Sequence, residues 1–138
     1  MNHRNTLFLL ILLLGLGCRD NNTSRVPDVP VNIAINILQP DFFNLSVPSG
    51  WIYITGGSRG IIVYRKSEEE FIALERHSPF QPEDNCAVKV DDDNVLISDP
   101  CSDSKWLITD GTIVQGPTAQ PLRTYRTSYS NPILYITN

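Results

Sequence analysis

The chain has 138 residues, with 11 basic and 15 acidic side chains and a net charge of −4 at pH 7. A chain of this length holds one small domain and has no room for a second core. Its negative charge argues against a nucleic-acid partner, which binds a basic protein face. We therefore expect a single acidic domain that does not bind nucleic acid.

The N-terminal residues have the composition of a targeting signal. Arg4 stands in a short polar lead, residues 7–14 form a dense apolar run, and Gly-Leu-Gly precedes Cys18. The apolar run is shorter than the ~20 residues of a comfortable membrane span. The pattern resembles a bacterial lipoprotein signal, which implies that residues 1–17 are removed and that lipid on Cys18 anchors the chain in the bilayer. An ordinary cleaved secretory signal and an uncleaved short anchor are the alternatives.

A polar segment separates this signal from the domain. Residues 18–30 are poor in apolar side chains and predict a flexible tether. Residues 31–37 alternate Asn or Ala with branched apolar residues, which predicts a half-buried strand and starts a domain over residues 31–138. Prolines punctuate the next stretch, and four side chains within it are expected to cover one edge of the core: Phe42, Phe43, Leu45 and Val47.

Short strands are then predicted at regular intervals, with no convincing helical period. They lie at residues 51–55, 61–65, 71–75, 86–90, 95–98, 105–109, 112–114, 122–127 and 132–137. The glycine-rich residues 56–60 predict a turn and not a phosphate loop, because neither a lysine nor a helix follows. Asp-Gly at residues 110–111 is a strong hairpin signal. Many short strands with Gly and Pro turns predict an all-β sandwich or small barrel.

The acidic side chains concentrate in two runs, at residues 68–70 and 91–93. Apolar stretches flank each run, so both predict solvated hairpin turns. An EF-hand calcium loop needs spaced acids, a central Gly and a terminal Glu, and residues 91–94 lack that spacing. We expect no metal at either run.

Two cysteines remain if Cys18 carries lipid. Outside the cytosol, Cys86 and Cys101 are more often bridged than free, and the closed loop would stabilise the domain by about 3 kcal/mol in the chain-entropy model. Two buried free thiols are the alternative. We expect the disulfide.

Two loops and the sequence after them follow the order of a known domain. The first loop is Ser78-Pro79-Phe80 and the second is Asp99-Pro100-Cys101-Ser102. Downstream come Trp106, Asp110-Gly111, Gly116-Pro117, Pro121-Leu122 and Tyr125. These features resemble a Rieske [2Fe-2S] domain, whose loops read Cys-Pro-His and Cys-Pro-Cys-His. The resemblance covers residues 61–136 and implies an antiparallel β-sandwich that carries a smaller, loop-rich subdomain.

The resemblance also implies that the cluster ligands are replaced. Ser78 and Asp99 stand at the two cysteines, which bind one iron, and Phe80 and Ser102 stand at the two histidines, which bind the other. After removal of the signal, the chain keeps only one histidine, His77, so no register supplies a second imidazole. We therefore expect no [2Fe-2S] cluster and no other cofactor.

In one branch of the family, a disulfide joins the two cluster loops. Cys101 falls at the second cysteine of its loop, whereas Cys86 lies a few residues later than is usual. The resemblance implies that this bridge, together with core packing, holds the loops where the cluster once did. Phe80 would fill apolar volume at the former cluster site.

The expected function is non-enzymatic. We expect a lipid-anchored binding module in the bacterial cell envelope, facing the periplasm or the exterior, that offers its two loop tips to an envelope protein. The main alternative is an electron-transfer protein whose cluster has an atypical ligand set, for which Asp99, Cys101 and His77 are available. A redox protein that uses a reducible Cys86–Cys101 bridge is a third. Two weaker hypotheses are a hydrolase that pairs His77 with Ser78, Asp99 or Ser102, and a cation among the loop acids Glu83, Asp84, Asp99 and Asp103.

Overall fold

A computed structural model describes residues 25–138. The predicted signal, Cys18 and the first part of the predicted tether lie outside the described residues. Ten strands are present in this range: β1 (Asn32–Asn36), β2 (Trp51–Ile54), β3 (Ile61–Arg65), β4 (Phe71–Glu75), β5 (Lys89–Val90), β6 (Leu96–Ser98), β7 (Lys105–Leu107), β8 (Ile113–Gln115), β9 (Thr124–Ser130) and β10 (Ile133–Thr137). Each overlaps a predicted strand, so the all-β prediction is confirmed.

The strands form two antiparallel sheets. The larger has the order β1-β10-β9-β4-β3-β2, and the smaller has the order β5-β6-β7-β8. The smaller sheet lies between β4 and β9 in the chain, so it is an insertion into the larger one. This is the architecture that the Rieske resemblance implied, an antiparallel sandwich carrying a smaller subdomain.

The larger sheet curls on itself around the main core. Ile35 and Leu134 at one end of the strand order share a buried cluster with Ile52 and Val63 at the other end. A flat sheet would hold these side chains several strands apart, about 4.8 Å per strand. The ladder between β4 and β9 is short, with Ala73 paired to Tyr125 and Leu74 paired to Thr124.

A second cluster of buried apolar side chains lies between the two sheets, so the expectation of a single core is wrong. Ile62 and Leu74 on the outer face of β3 and β4 pack with Ile97, Trp106 and other residues of the subdomain. Because β3 and β4 carry a core on each face, nearly all their residues are buried. This explains why the sequence over both strands is a continuous apolar run and not an alternation.

The prediction for residues 42–47 is only half right. Residues Pro40–Ser46 form a 3-10 helix, which the sequence did not predict. Phe42 and Leu45 lie one 3-10 turn apart, at i and i+3, and both pack on the core. Phe43 and Val47 are 65% and 59% exposed. The 3-10 period places Phe43 off the buried face, and Val47 lies in extended backbone just after the helix.

The predicted acidic turn between β5 and β6 is a hairpin turn. The carboxylate of Asp93 accepts hydrogen bonds from the backbone N–H groups of Leu96, at 3.0 Å, and Val95, at 2.8 Å. These bonds favour the charged form and lower the pKa of Asp93 below its usual value. The Asp93 side chain therefore stabilises the hairpin turn.

The chain before β1 lies against the end of the domain. Arg123 donates to the carbonyl oxygens of Pro27 and Val26 and forms an ion pair with Asp28. The carbonyl of Val29 accepts from the Asn138 side chain. The last part of the predicted tether therefore has contacts with the domain. Among residues 25–138, no helix has both the length and the apolar character that crossing a bilayer requires.

Candidate functional site

The two predicted loops meet at one end of the subdomain. The first follows β4, and the second follows β6. A bridge between His77 and Ala87 closes the base of the first loop, and Ser78 N–H donates to the Cys86 carbonyl at 2.9 Å. A disulfide joins Cys86 to Cys101, with Cα atoms 6.2 Å apart. The predicted disulfide is confirmed, and it ties the two loops together.

Asp99 is the centre of a hydrogen-bonded group at the loop tips. Its side chain is 4% exposed. The Oδ2 atom accepts from the Ser78 hydroxyl at 2.7 Å and from the Ser102 hydroxyl at 2.8 Å. The Oδ1 atom accepts from Cys101 N–H at 3.0 Å. Of the four positions that the Rieske resemblance assigns to cluster ligands, 78 and 102 therefore both contact 99.

Phe80, the fourth position, joins this group through its backbone. Its N–H donates to the Ser78 hydroxyl oxygen at 3.1 Å, and its ring is half-buried. The Ser78 hydroxyl thus donates to Asp99 and accepts from Phe80. Within residues 25–138, every buried side-chain nitrogen and oxygen has a hydrogen-bond partner. The loop tips are therefore a closed polar arrangement, with no unsatisfied group aimed into an empty space.

His77 is directed away from this group. Its ring is buried, with Nε2 2.7 Å from the Pro82 carbonyl oxygen and Nδ1 2.8 Å from the Ser58 hydroxyl. A carbonyl can only accept, so Nε2 carries a proton, and in the neutral ring Nδ1 accepts from Ser58. The structure does not bring His77 together with Ser78, Asp99 or Ser102. Neither the hydrolase pairing nor the mixed Asp/Cys/His ligand set is assembled.

A buried acid that the sequence did not reveal lies beside His77. Glu75, the last residue of β4, is fully buried. Its Oε1 accepts from the N–H groups of Arg59, at 3.0 Å, and His77, at 2.8 Å. Its Oε2 accepts from Ser58 N–H and from the Tyr125 hydroxyl, both at 2.7 Å. Four donors from three parts of the chain therefore converge on one carboxylate.

The glycine-rich turn wraps around this carboxylate. Gly57 has φ of +61°, and a Cβ atom there would overlap the Glu75 carboxylate and the Tyr125 hydroxyl. Only glycine allows this approach and adopts this φ at no steric cost. This agrees with the prediction of a turn and not a phosphate loop. The anion that the N–H groups of residues 58 and 59 bind is the protein's own Glu75 carboxylate. A charged residue at the end of a continuous apolar strand was the signal that could have revealed it.

The Tyr125–Glu75 contact predicts a difference in alkaline stability. Burial, and then the hydrogen bond to the Glu75 carboxylate, raise the pKa of Tyr125 above its usual value of about 10. The unfolded chain then loses this proton first, so the stability that Tyr125 contributes falls as pH rises above 10. We expect wild type to lose about 1 kcal/mol more stability than Tyr125→Phe between pH 10 and 11, as measured by urea unfolding. Tyr135→Phe, at an exposed tyrosine, is the control and should keep the wild-type slope.

The disulfide predicts a second stability difference. Cys86 and Cys101 are 15 residues apart in sequence. Replacing Cys86 by Ala and Cys101 by Ser should lower the free energy of unfolding by about 3 kcal/mol, because the unfolded chain regains loop entropy. Urea unfolding of the variant against wild type measures this. Cys18→Ala should leave the value unchanged, and a loss below about 1 kcal/mol would show that the bridge does little for stability.

The fold and the site together define an all-β domain with two disulfide-linked loops at the tip of an inserted subdomain. No family model matches the sequence, and neither does any curated protein. Among solved structures, the chain is similar to the ferredoxin of carbazole 1,9a-dioxygenase from Nocardioides aromaticivorans IC177. The identity is 14%, the TM-score is 0.49, and 78% of this chain and 95% of that chain are covered.

A second similar structure is described as an NADH-dependent nitrite reductase small subunit from Mycobacterium tuberculosis. The identity is 14%, the TM-score is 0.48, and 80% of this chain and 97% of that chain are covered. Neither likeness is close enough to support an argument about activity. The function of this chain therefore has to be inferred from its own residues.

Proposed function

We propose that this chain is a lipid-anchored module of the bacterial cell envelope, with a Rieske-like domain that binds a protein partner and holds no [2Fe-2S] cluster. The observation that carries the proposal is the closed group of Ser78, Asp99 and Ser102. In the family, the residues at positions 78 and 99 bind the same iron. Here the side chains at those positions bind each other at 2.7 Å.

The remaining candidate ligands are committed elsewhere. Both cysteines near the loops are joined in the Cys86–Cys101 disulfide, and a disulfide sulfur is not a thiolate ligand. Both ring nitrogens of His77 have partners in the protein. A cluster would require these groups to be released and the Asp99 network to be broken. This supports a scaffold over an electron carrier.

The loop tips offer a small mixed surface to a partner. Pro79 and Phe80 are half-buried, and Pro100 and Cys101 are exposed. Each buried side-chain oxygen of the Asp99 network beneath them has a hydrogen-bond partner, so binding there would not require the loops to become ordered first.

Iron analysis tests the absence of a cluster. The full chain, purified in detergent, is taken through anaerobic reconstitution with iron and sulfide, and its iron content and visible spectrum are recorded. We expect a colourless, iron-free, folded protein. Stoichiometric iron with a Rieske-type spectrum would overturn the proposal in favour of an electron-transfer protein with an atypical ligand set.

Anchoring and partner binding need separate tests. Cells fed a labelled fatty acid should incorporate label into wild type and not into Cys18→Ala. A photo-crosslinking amino acid at position 100 should give one discrete adduct in cells, and Phe80→Ala should remove it. The same crosslinker at exposed position 135, on the larger sheet, is the control. Equal adducts at both positions would contradict a role for the loop tips.

A further inference from the structure

The disulfide places two sulfur atoms beside the buried carboxylate. The Sγ atoms of Cys86 and Cys101 and a carboxylate oxygen of Asp99 all lie within 4.8 Å of one another. In the oxidised protein, the sulfur atoms bind each other and are not ligands, because a metal binds the thiolate. The three groups become a possible ligand set only when the disulfide opens.

We propose that reduction of the Cys86–Cys101 disulfide converts the loop tips into a Zn²⁺ site, with both thiolates and the Asp99 carboxylate as ligands. Zinc accepts these donors at about 2.3 Å for sulfur and about 2.0–2.2 Å for oxygen. A tetrahedral ion would hold the two sulfur atoms about 3.8 Å apart. Cysteines with Cα atoms 6.2 Å apart can reach that spacing by rotating their side chains. Water on the exposed side of Cys101 would take the fourth position.

Asp99 is already oriented for this role. Its carboxylate has about four lone-pair sites, and the three hydrogen bonds from Ser78, Ser102 and Cys101 occupy three of them. One lone pair remains on Oδ1. Donors that hold a ligating carboxylate in place are the usual outer shell of a metal site. The network that excludes an iron-sulfur cluster therefore leaves one oxygen available to a single ion.

The two sulfur atoms differ in accessibility, which gives the reduction a direction. Cys101 is exposed and Cys86 is buried. A thiolate of a dithiol reductant attacks Cys101 Sγ, the S–S bond breaks, and Cys86 leaves as a thiolate. The second thiol of the reductant then attacks the mixed disulfide and releases Cys101. The reductant is oxidised to its own disulfide, and the thiol protons pass to solvent as the metal binds.

This exchange would keep the loops joined in both redox states. In the oxidised form the link is the S–S bond, and in the reduced form it is the metal. The inference does not depend on a partner protein, so it can fail while the proposed function stands. The proposed ligands of this single ion are Cys86, Cys101 and Asp99. Of these, only Asp99 stands at one of the four positions that the resemblance assigns to cluster ligands.

Cobalt is the probe for this site. The full chain with Cys18→Ala, so that only Cys86 and Cys101 remain, is purified in detergent, reduced with a phosphine and titrated anaerobically with Co²⁺. We expect one equivalent to give thiolate-to-cobalt charge-transfer bands and strong tetrahedral visible bands, both removed by Zn²⁺. The oxidised protein should give neither. Absence of these bands in the reduced protein would overturn the proposal.

Variants and absorption spectroscopy assign the ligands. Replacing Cys86 and Cys101 by Ala should abolish the bands. Asp99→Asn should weaken Zn²⁺ binding more than about 10-fold, whereas Asp103→Asn, at an exposed acid on the same loop, should not. Equal affinity of Asp99→Asn and wild type would refute a carboxylate ligand. If Asp99→Asn does not fold, X-ray absorption of zinc-loaded wild type decides, with two sulfur and two oxygen neighbours expected and any other count contradicting the site.

Discussion

Replacing Glu75 by Gln is expected to lower the free energy of unfolding by about 3–4 kcal/mol. All four partners of this carboxylate are donors, namely three backbone N–H groups and the Tyr125 hydroxyl. A Gln side chain has nearly the same shape, but its amide nitrogen cannot accept a hydrogen bond. In either orientation of the amide, at least one buried backbone N–H loses its acceptor.

The two amide orientations differ in what they lose. With nitrogen at the Oε1 position, the N–H groups of Arg59 and His77 are both left without an acceptor. With nitrogen at the Oε2 position, the Tyr125 hydroxyl can turn to accept, and only Ser58 N–H is stranded. The remaining bonds also weaken, because bonds to a charged acceptor contribute about 1.5–3 kcal/mol and bonds to a neutral one about half that. The loss is therefore large in both orientations.

Urea unfolding at pH 7 measures this difference. Glu69→Gln, in the exposed turn between β3 and β4, is the matched control and should change stability by less than about 0.5 kcal/mol. If Glu75→Gln changes the free energy of unfolding as little as the control does, the four contacts contribute little to stability. The measurement also bears on the loop tips, because Glu75 fixes the backbone of His77, where the first loop begins.

The strands could be predicted because their signals are local. Residues 61–65 and 71–75 were placed without error, since a continuous apolar run bounded by Gly or acidic turns permits few other structures. The acidic and Asp-Gly hairpins were equally local. The 3-10 helix at Pro40–Ser46 was missed because it is short. Seven residues make only about two 3-10 turns, too few to show a repeating apolar pattern.

The site could be predicted only where the order of residues along the chain resembled that of a Rieske domain. The order of the two loops placed Ser78 near Asp99, and the structure brings them into contact. The cradle around Glu75 could not be found in this way. It joins residues 57, 75 and 125, which are far apart in sequence, and no spacing rule connects a glycine turn to a strand-end acid. Such contacts depend on which strands become neighbours, because β4 pairs with β9 on one side and with β3, which follows the glycine turn, on the other.

Placing the Rieske ligand residues at the four positions that the resemblance assigns to them is expected to create a cluster. The variant carries Ser78→Cys, Phe80→His, Asp99→Cys and Ser102→His. Anaerobic reconstitution should yield about two iron atoms per chain and a Rieske-type visible spectrum, whereas wild type should remain colourless. The physical reason is that the backbone already brings the positions together. Side chains 78 and 99 meet at 2.7 Å, and side chains 99 and 102 meet at 2.8 Å.

A matched variant separates the two halves of the ligand set. Ser78→Cys with Asp99→Cys supplies the two thiolates of one iron and leaves the second iron without its imidazoles, so it should not give the Rieske spectrum. If the fourfold variant also binds no more iron than wild type, the assignment of these positions to cluster ligands is wrong. Gain of the cluster would instead show that four side chains, and not the loop backbone or the disulfide, separate this scaffold from an electron carrier.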